Sequence, residues 1–163
     1  MGICYEKGIG ITKDERIAFN RYNEAAANNG HIIAQYCVGN FYQLGICVNV
    51  DYNKAFYHYN LSAEGECSYG INMLGYCYLN GIGTSIDKNK TFELYLKAAN
   101  MKNNIAQYNV AVCYEDGVGT VEDFVKATEW YKKSADNGYD LAIKRLDELS
   151  GKVILEPKGN ISK

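Results

Sequence analysis

Hydrophobic and polar positions along this chain follow two superimposed periods, the turn of an α-helix and a longer unit of about 36 residues. A tyrosine marks the longer period and recurs 37, 36 and 36 residues apart, at Tyr5, Tyr42, Tyr78 and Tyr114. The segments around it recur too, for example as MLGYCYLNGIG and VAVCYEDGVG. A fixed period of about 20–50 residues predicts an array of stacked structural units.

Each unit is expected to contain two helices, which we call helix A and helix B. In the second unit, helix A is predicted from about His31 to Leu44, because Ala34, Val38 and Tyr42 share one face at helical spacing. Helix B carries an alanine, a tyrosine and an alanine at offsets of four, which also places them on one face. The helix B positions are Ala18, Tyr22 and Ala26; Ala55, Tyr59 and Ala63; Thr91, Tyr95 and Ala99; and Ala127, Tyr131 and Ala135.

Small residues and capping residues fill the region between the two helices. One column should let helix B approach closely, and its members are Gly2, Gly39, Gly75 and Ala111. The turn that follows is formed by the pairs Gly8 and Gly10, Gly45 and Cys47, Gly81 and Gly83, and Gly117 and Gly119. Because Cys47 replaces a glycine, we expect its turn to differ or to be strained. An aspartate then precedes each helix B and is expected to cap it, at Asp14, Asp51, Asp87 and Asp123.

These columns resemble the Sel-1-like repeat (SLR) family, a relative of the tetratricopeptide repeats. The segment from Ala106 to Ala135, AQYNVAVCYEDGVGTVEDFVKATEWYKKSA, matches the family pattern almost throughout. The resemblance covers about residues 1–150. It implies an all-α fold, a right-handed α-solenoid of about four antiparallel helix pairs with a C-terminal capping helix.

The repeat columns also divide the chain. The expected parts are a partial first repeat with a truncated helix A at 1–30, repeat 2 at 31–66, repeat 3 at 67–102, repeat 4 at 103–138, a capping helix at 139–150 and a disordered tail at 151–163. Met1 stands where Val38 and Leu74 stand in later units. We therefore expect the chain to be a fragment of a longer protein, or a sequence begun at an internal methionine, with a repeat edge at its N-terminus through which it could self-associate. The resemblance further implies a longer protein of the fungal SLR type.

In the related repeats helix A lines the concave face of the superhelix, and the resemblance implies the same arrangement here. We call the corresponding set of positions the helix-A surface. It consists of Tyr36, Asn40, Gln43, Asn72, Tyr76, Leu79, Tyr108, Val112 and Glu115. Tyrosine and asparagine combine apolar area with hydrogen bonding, so this surface is expected to bind proteins or peptide segments. For the tyrosines, packing between adjacent repeats is an equally weighted alternative.

The composition and cysteine pattern argue against several other functions. A net charge of −2 gives no basic patch for nucleic acid, and no apolar run is long enough to span a bilayer. The six cysteines include no C-x-x-C pair, and a column shared by Cys4, Cys77 and Cys113 accepts Phe41 in another unit. We therefore expect reduced packing cysteines in a cytoplasmic protein, with no metal site and no cofactor.

The leading functional hypothesis is a non-enzymatic adaptor or scaffold. One alternative is the regulatory or scaffolding arm of a longer signalling protein such as a protein kinase. Another is an endoplasmic-reticulum quality-control adaptor, which would require an upstream signal peptide and a glycan on Asn60 or Asn89. A hydrolase, as proposed for cysteine-rich bacterial relatives, is disfavoured because no cysteine pair repeats with the units.

Overall fold

The structure, a computed structural model, describes residues 14–155. Within this range all regular secondary structure is helical. The helices are α1 (Glu15–Asn29), α2 (Ile32–Leu44), α3 (Tyr52–Glu64), α4 (Ser68–Asn80), α5 (Lys88–Asn100), α6 (Asn104–Asp116), α7 (Phe124–Asp136) and α8 (Asp140–Leu155). The predicted truncated helix A of the first unit, with its turn glycines and Cys4, lies outside the described residues.

The helices stack in chain order as antiparallel pairs. Helices A are α2, α4, α6 and α8, and helices B are α1, α3, α5 and α7. Each complete pair packs internally, each helix B also packs against the helix A that follows, and α2 contacts α4 directly. This arrangement confirms the predicted all-α solenoid, and it places the helices A of neighbouring units side by side.

The cores of the units depend on a buried tyrosine of helix B that fits against a glycine of helix A. Tyr59 has no exposed surface, and Tyr95 is only 3% exposed. A Cβ atom built on Gly39 would lie 2.6 Å from the Tyr59 ring, and one on Gly75 would lie 2.9 Å from the Tyr95 ring. The small-residue column is therefore required for close approach of the two helices, as the sequence predicted.

Each helix B begins at an aspartate whose carboxylate accepts a hydrogen bond from a backbone N–H of the first turn. The donors lie 2.9–3.0 Å away, three residues after the aspartate. The pairs are Asp14 and Ile17, Asp51 and Lys54, Asp87 and Lys90, and Asp123 and Lys126. These contacts satisfy helix-end donors that would otherwise lack a partner, and they confirm the predicted caps.

The recurring tyrosine joins neighbouring units. Its ring packs edge-on against a phenylalanine of the preceding helix B, with centroids 5.6 Å apart for Phe56 and Tyr78 and 5.2 Å apart for Phe92 and Tyr114. A lysine ammonium lies over the same ring, 4.4 Å from its centroid for Lys90 and Tyr78. The sequence interpretation placed this column on the core face, and the structure shows it half-buried between two units and under a lysine.

The turn containing Cys47 keeps the backbone conformation of its glycine counterparts. Its φ is 54°, close to 65° at Gly83 and 67° at Gly119. A residue with a Cβ atom resists this left-handed region, so the predicted strain is present although the turn is not remodelled. The Cys47 thiol lies 3.6 Å from the carbonyl oxygen of Glu15, the first residue of α1.

The last helix is longer than predicted. It packs against α7 and extends to Leu155, five residues past the predicted end of the capping helix at 150. No proline occurs before Pro157 to interrupt the helical backbone. Residues 156–163 of the predicted tail lie outside the described residues.

Candidate functional site

The helix-A surface in unit 2 is organised around the hydroxyl of a buried tyrosine of helix B. The Tyr59 hydroxyl lies 2.7 Å from Asn40 Oδ1 and 2.6 Å from Gln43 Oε1. Because a hydroxyl has one proton, it donates to one of these amides at a time. Tyr36 lies beside them, half-buried, with its ring 6.3 Å from that of Tyr59 and 5.7 Å from that of Tyr69. All three predicted residues of this unit are therefore brought together.

Unit 4 repeats this arrangement with a charge in place of the amides. The Tyr131 hydroxyl donates to Glu115 Oε2 at 2.6 Å. The guanidinium of Arg145, on α8, forms an ion pair with the same carboxylate and a second hydrogen bond at 3.3 Å from Nε. The side chains of Glu115 and Arg145 are only 13% and 26% exposed. Burial raises the pKa of Tyr131, and the contact with Glu115 raises it further, so the hydroxyl is protonated and acts as a donor.

The other predicted residues of unit 4 flank this ion pair. Tyr108 packs between units, with its ring centroid 5.3 Å from both Tyr131 and Tyr139. Val112 is half-buried in the same cluster. A cavity of about 160 Å³ opens beside Tyr108, and its lining residues are Tyr108, Leu141, Lys144, Arg145 and Glu148. This end of the helix-A surface is therefore the charged end.

Unit 3 lies between the other two, and its part of the helix-A surface forms fewer hydrogen bonds between side chains within the protein. Asn72 is buried, and its Oδ1 accepts a hydrogen bond of 2.9 Å from Asn109 Nδ2 on the next helix A. Tyr76 is exposed at 38%, and Leu79 is half-buried. Tyr95 is the helix B tyrosine of this unit, and its hydroxyl has no hydrogen-bond partner among residues 14–155.

Sequence reasoning missed the residues that complete these contacts. Arg145, Asn109 and Tyr69 come from the following helix A and lie outside the three columns chosen for the surface. Asn109 and Arg145 both occupy the column one residue after that of Tyr36. Including that column in the predicted surface would have identified them. The predicted set is thus a connected surface, but Asn72, Tyr36 and Tyr108 also hold neighbouring units together.

The described cysteines are packing residues or surface thiols. None of the five forms a disulfide: Cys37, Cys47, Cys67, Cys77 and Cys113. Burial raises the pKa of both Cys77 and Cys113 to about 12, so these two thiols stay protonated near neutral pH. Residues 14–155 contain no group of three or more histidine, cysteine or acidic side chains placed to hold a metal ion. In the same range no helix combines the length and apolar character needed to cross a membrane.

Comparison with known proteins agrees with the repeat pattern. The sequence model of the Sel1 repeat family matches residues 1–31, 32–67, 68–103 and 104–139. No curated protein matches the sequence significantly.

Solved structures show the same fold. A Sel1 repeat protein from Oxalobacter formigenes superposes with a TM-score of 0.81 at 28% identity, over 90% of this chain and 60% of that one. The c5321 protective antigen of uropathogenic Escherichia coli, which displays an SLR fold, gives 0.80 at 29% identity, over 93% of this chain and 32% of that one. The chain thus spans 60% and 32% of the length of these two proteins. Helicobacter pylori cysteine rich protein B is similar in fold, with a TM-score of 0.63 at 20% identity, over 82% of this chain and 96% of that one.

Proposed function

The chain belongs to the Sel1 repeat family, and we propose that it is a non-enzymatic adaptor that binds a protein or peptide segment along the helix-A surface. Helical solenoids of this family are protein-interaction scaffolds and are typically not catalytic. The observation that carries the proposal is the continuity of the surface. Amide and tyrosine side chains from three neighbouring helices A form one connected strip, linked by hydrogen bonds and ring contacts.

The chemistry of this strip suits a polypeptide ligand. Asn40 and Gln43 are half-buried, and their amide groups carry both donors and acceptors, which is what an extended peptide backbone requires. Exposed and half-buried tyrosines supply rigid contact area at a low cost in side-chain entropy. We further propose a reducing compartment such as the cytoplasm, supported by the five described cysteines, none of which forms a disulfide.

Peptide display can test the proposal with a variant that spares the fold. Short random peptides are selected on the 163-residue chain, and their affinities are measured for the chain and for Tyr76→Ala. Tyr76 is chosen because it is exposed and the structure gives it no hydrogen bond to another described side chain. Tyr57→Ala is the matched control, because Tyr57 is a comparably exposed tyrosine, at 58%, on helix B.

We expect Tyr76→Ala to weaken binding of the selected peptides at least about tenfold, as loss of an aromatic anchor does. Tyr57→Ala should leave the affinity unchanged. The proposal is wrong if the selected peptides bind both variants as well as the parent, or if selection on the folded chain yields no binder.

A further inference from the structure

We infer that the hydroxyl of Tyr95 is a recognition point that donates a hydrogen bond to a carbonyl group of an uncharged peptide segment. This inference rests on the proposed function and locates its most selective contact in unit 3. The Tyr95 hydroxyl would donate to the ligand, whereas the hydroxyls of its counterparts, Tyr59 in unit 2 and Tyr131 in unit 4, donate to side chains of the protein itself.

A comparison of three equivalent tyrosines carries the inference. Tyr59 donates to the amides of Asn40 and Gln43, and Tyr131 donates to the carboxylate of Glu115. In unit 3 the positions that match Gln43 and Asn40 are Leu79 and Tyr76. Leucine has no acceptor, and the structure shows no hydrogen bond between the Tyr76 and Tyr95 side chains. The Tyr95 hydroxyl is therefore left without an internal partner.

This hydroxyl is neither sealed in the core nor freely exposed. Tyr95 as a whole is 3% exposed. Within residues 14–155 no side-chain oxygen or nitrogen is both buried and lacking a hydrogen-bond partner. The unpaired Tyr95 oxygen must therefore reach the surface, while its ring is fixed in the core. Burial raises the pKa of Tyr95, so the group remains a protonated donor near neutral pH.

The side chains beside the Tyr95 hydroxyl determine which ligand groups can reach it. Tyr76 follows Gly75, which lies against the Tyr95 ring, and it occupies the repeat position of Asn40, whose side chain meets the equivalent hydroxyl of Tyr59. Leu79 occupies the repeat position of Gln43, whose side chain also meets the Tyr59 hydroxyl. By this equivalence the Tyr95 hydroxyl lies between an aromatic and an aliphatic side chain, an arrangement that suits a site orienting a ligand by one hydrogen bond.

The charge pattern limits the ligand to an uncharged segment at this point. In units 2 and 3 the helix-A surface has no ionisable side chain except tyrosine, as its members show: Tyr36, Asn40, Gln43, Asn72, Tyr76 and Leu79. The carboxylate of Glu115 in unit 4 is already paired with Arg145. A charged ligand group placed over unit 3 would lose water without gaining a counterion, whereas a backbone or side-chain carbonyl gains a donor.

The test uses the peptides selected on the native chain and two tyrosine-to-phenylalanine variants. Tyr95→Phe removes only the unpaired hydroxyl, so we expect an unchanged unfolding midpoint and an affinity about fivefold weaker. Tyr57→Phe is the matched control, because it removes an exposed hydroxyl on helix B outside the helix-A surface, and it should leave both the midpoint and the affinity unchanged.

A third variant tests the same contact in the opposite way. Leu79→Gln supplies an internal acceptor like that of Gln43, so it should occupy the Tyr95 hydroxyl and weaken peptide binding by a similar factor. Its effect should disappear when it is combined with Tyr95→Phe.

The outcomes separate this inference from the proposed function. If Tyr76→Ala abolishes peptide binding but Tyr95→Phe binds as tightly as the parent, the inference is overturned and the proposed function stands. If Tyr76→Ala also leaves binding unchanged, both fail. A weaker affinity for Tyr95→Phe and for Leu79→Gln, with unchanged affinity for Tyr57→Phe, supports both.

Discussion

Replacing Cys47 by glycine should stabilise the protein, although it removes a side chain. Cys47 is held at a φ of 54°, and the same turns of units 3 and 4 have glycine at this position. The replaced thiol is exposed, and its contact is a 3.6 Å approach to the carbonyl oxygen of Glu15. Little packing is therefore lost when the side chain is removed.

The expected gain follows from two opposing terms. Holding a residue with a Cβ atom in the left-handed region costs about 1–2 kcal/mol, which glycine avoids. Glycine gains freedom in the unfolded chain, which offsets about 0.4–1 kcal/mol. The net stabilisation is thus about 0–1.6 kcal/mol with a midpoint of about 0.8 kcal/mol, and the midpoint corresponds to a rise in Tm of about 2–3 °C for a chain of this size.

The reverse exchange at Gly83 should be much more harmful. A Cβ atom there would collide with the carbonyl oxygen of Tyr52 and lie 2.7 Å from the Cβ of Phe56. Overpacking adds about 1–3 kcal/mol to the backbone strain, so Gly83→Cys should lose about 2–4 kcal/mol. Thermal and urea unfolding, followed by circular dichroism, measure both effects.

A control separates the backbone effect from loss of the thiol. Cys47→Ala removes the sulfur but keeps the Cβ atom, so its midpoint should stay near that of the parent. The reasoning is refuted if Cys47→Gly lowers the midpoint, or if Cys47→Ala raises it as much as Cys47→Gly does.

Two further predictions concern charged groups. Arg145→Met leaves Glu115 partly buried without its cation and should destabilise the chain by about 1–2 kcal/mol, less than for a fully buried pair. Urea unfolding should show a smaller loss of stability for the double variant Arg145→Met and Glu115→Gln than for Arg145→Met alone, since glutamine still accepts from Tyr131. Equal losses of stability for the single and the double variant would contradict this. The pKa of Asp51 is lowered, chiefly by the hydrogen bond from the backbone N–H of Lys54. The cap therefore contributes its full stabilisation above the unfolded pKa of about 4, and this stabilisation is lost as pH falls through the lower folded pKa. Asp51→Asn should therefore make Tm less sensitive to acid between about pH 5 and about pH 2, and an unchanged acid profile would exclude this contribution.

The fold could be predicted from the sequence because each structural requirement occurs once per unit. The helix caps, the glycine beneath the tyrosine and the alternation of helices A and B each recur in register, so several copies support each assignment. The end of α8 could not be predicted in this way. It belongs to a helix whose sequence departs from the repeat, with Asp147 in the small-residue column.

The candidate surface was predictable as a region but not in its contacts. The columns correctly grouped Asn40 and Gln43 on one side of helix A, yet they could not show that the Tyr59 hydroxyl reaches both. The pairing of Asn72 with Asn109 was missed because it joins different columns of different units. A column pattern describes one unit at a time, whereas these contacts depend on the offset between stacked units.

The repeat pattern does not fix the residue that meets the hydroxyl of the helix B tyrosine, and this residue differs from unit to unit. The hydroxyl of the helix B tyrosine meets amides in unit 2, nothing within the described residues in unit 3, and a carboxylate paired with Arg145 in unit 4. The fold needs the tyrosine ring in each unit, but it does not need the group that meets the hydroxyl, because Leu79 is compatible with the same packing of Tyr95. The residue at this one position is thus free to vary without loss of the solenoid. A ligand lying along the helix-A surface would meet a neutral end and a charged end, and this difference can fix its direction as well as its position.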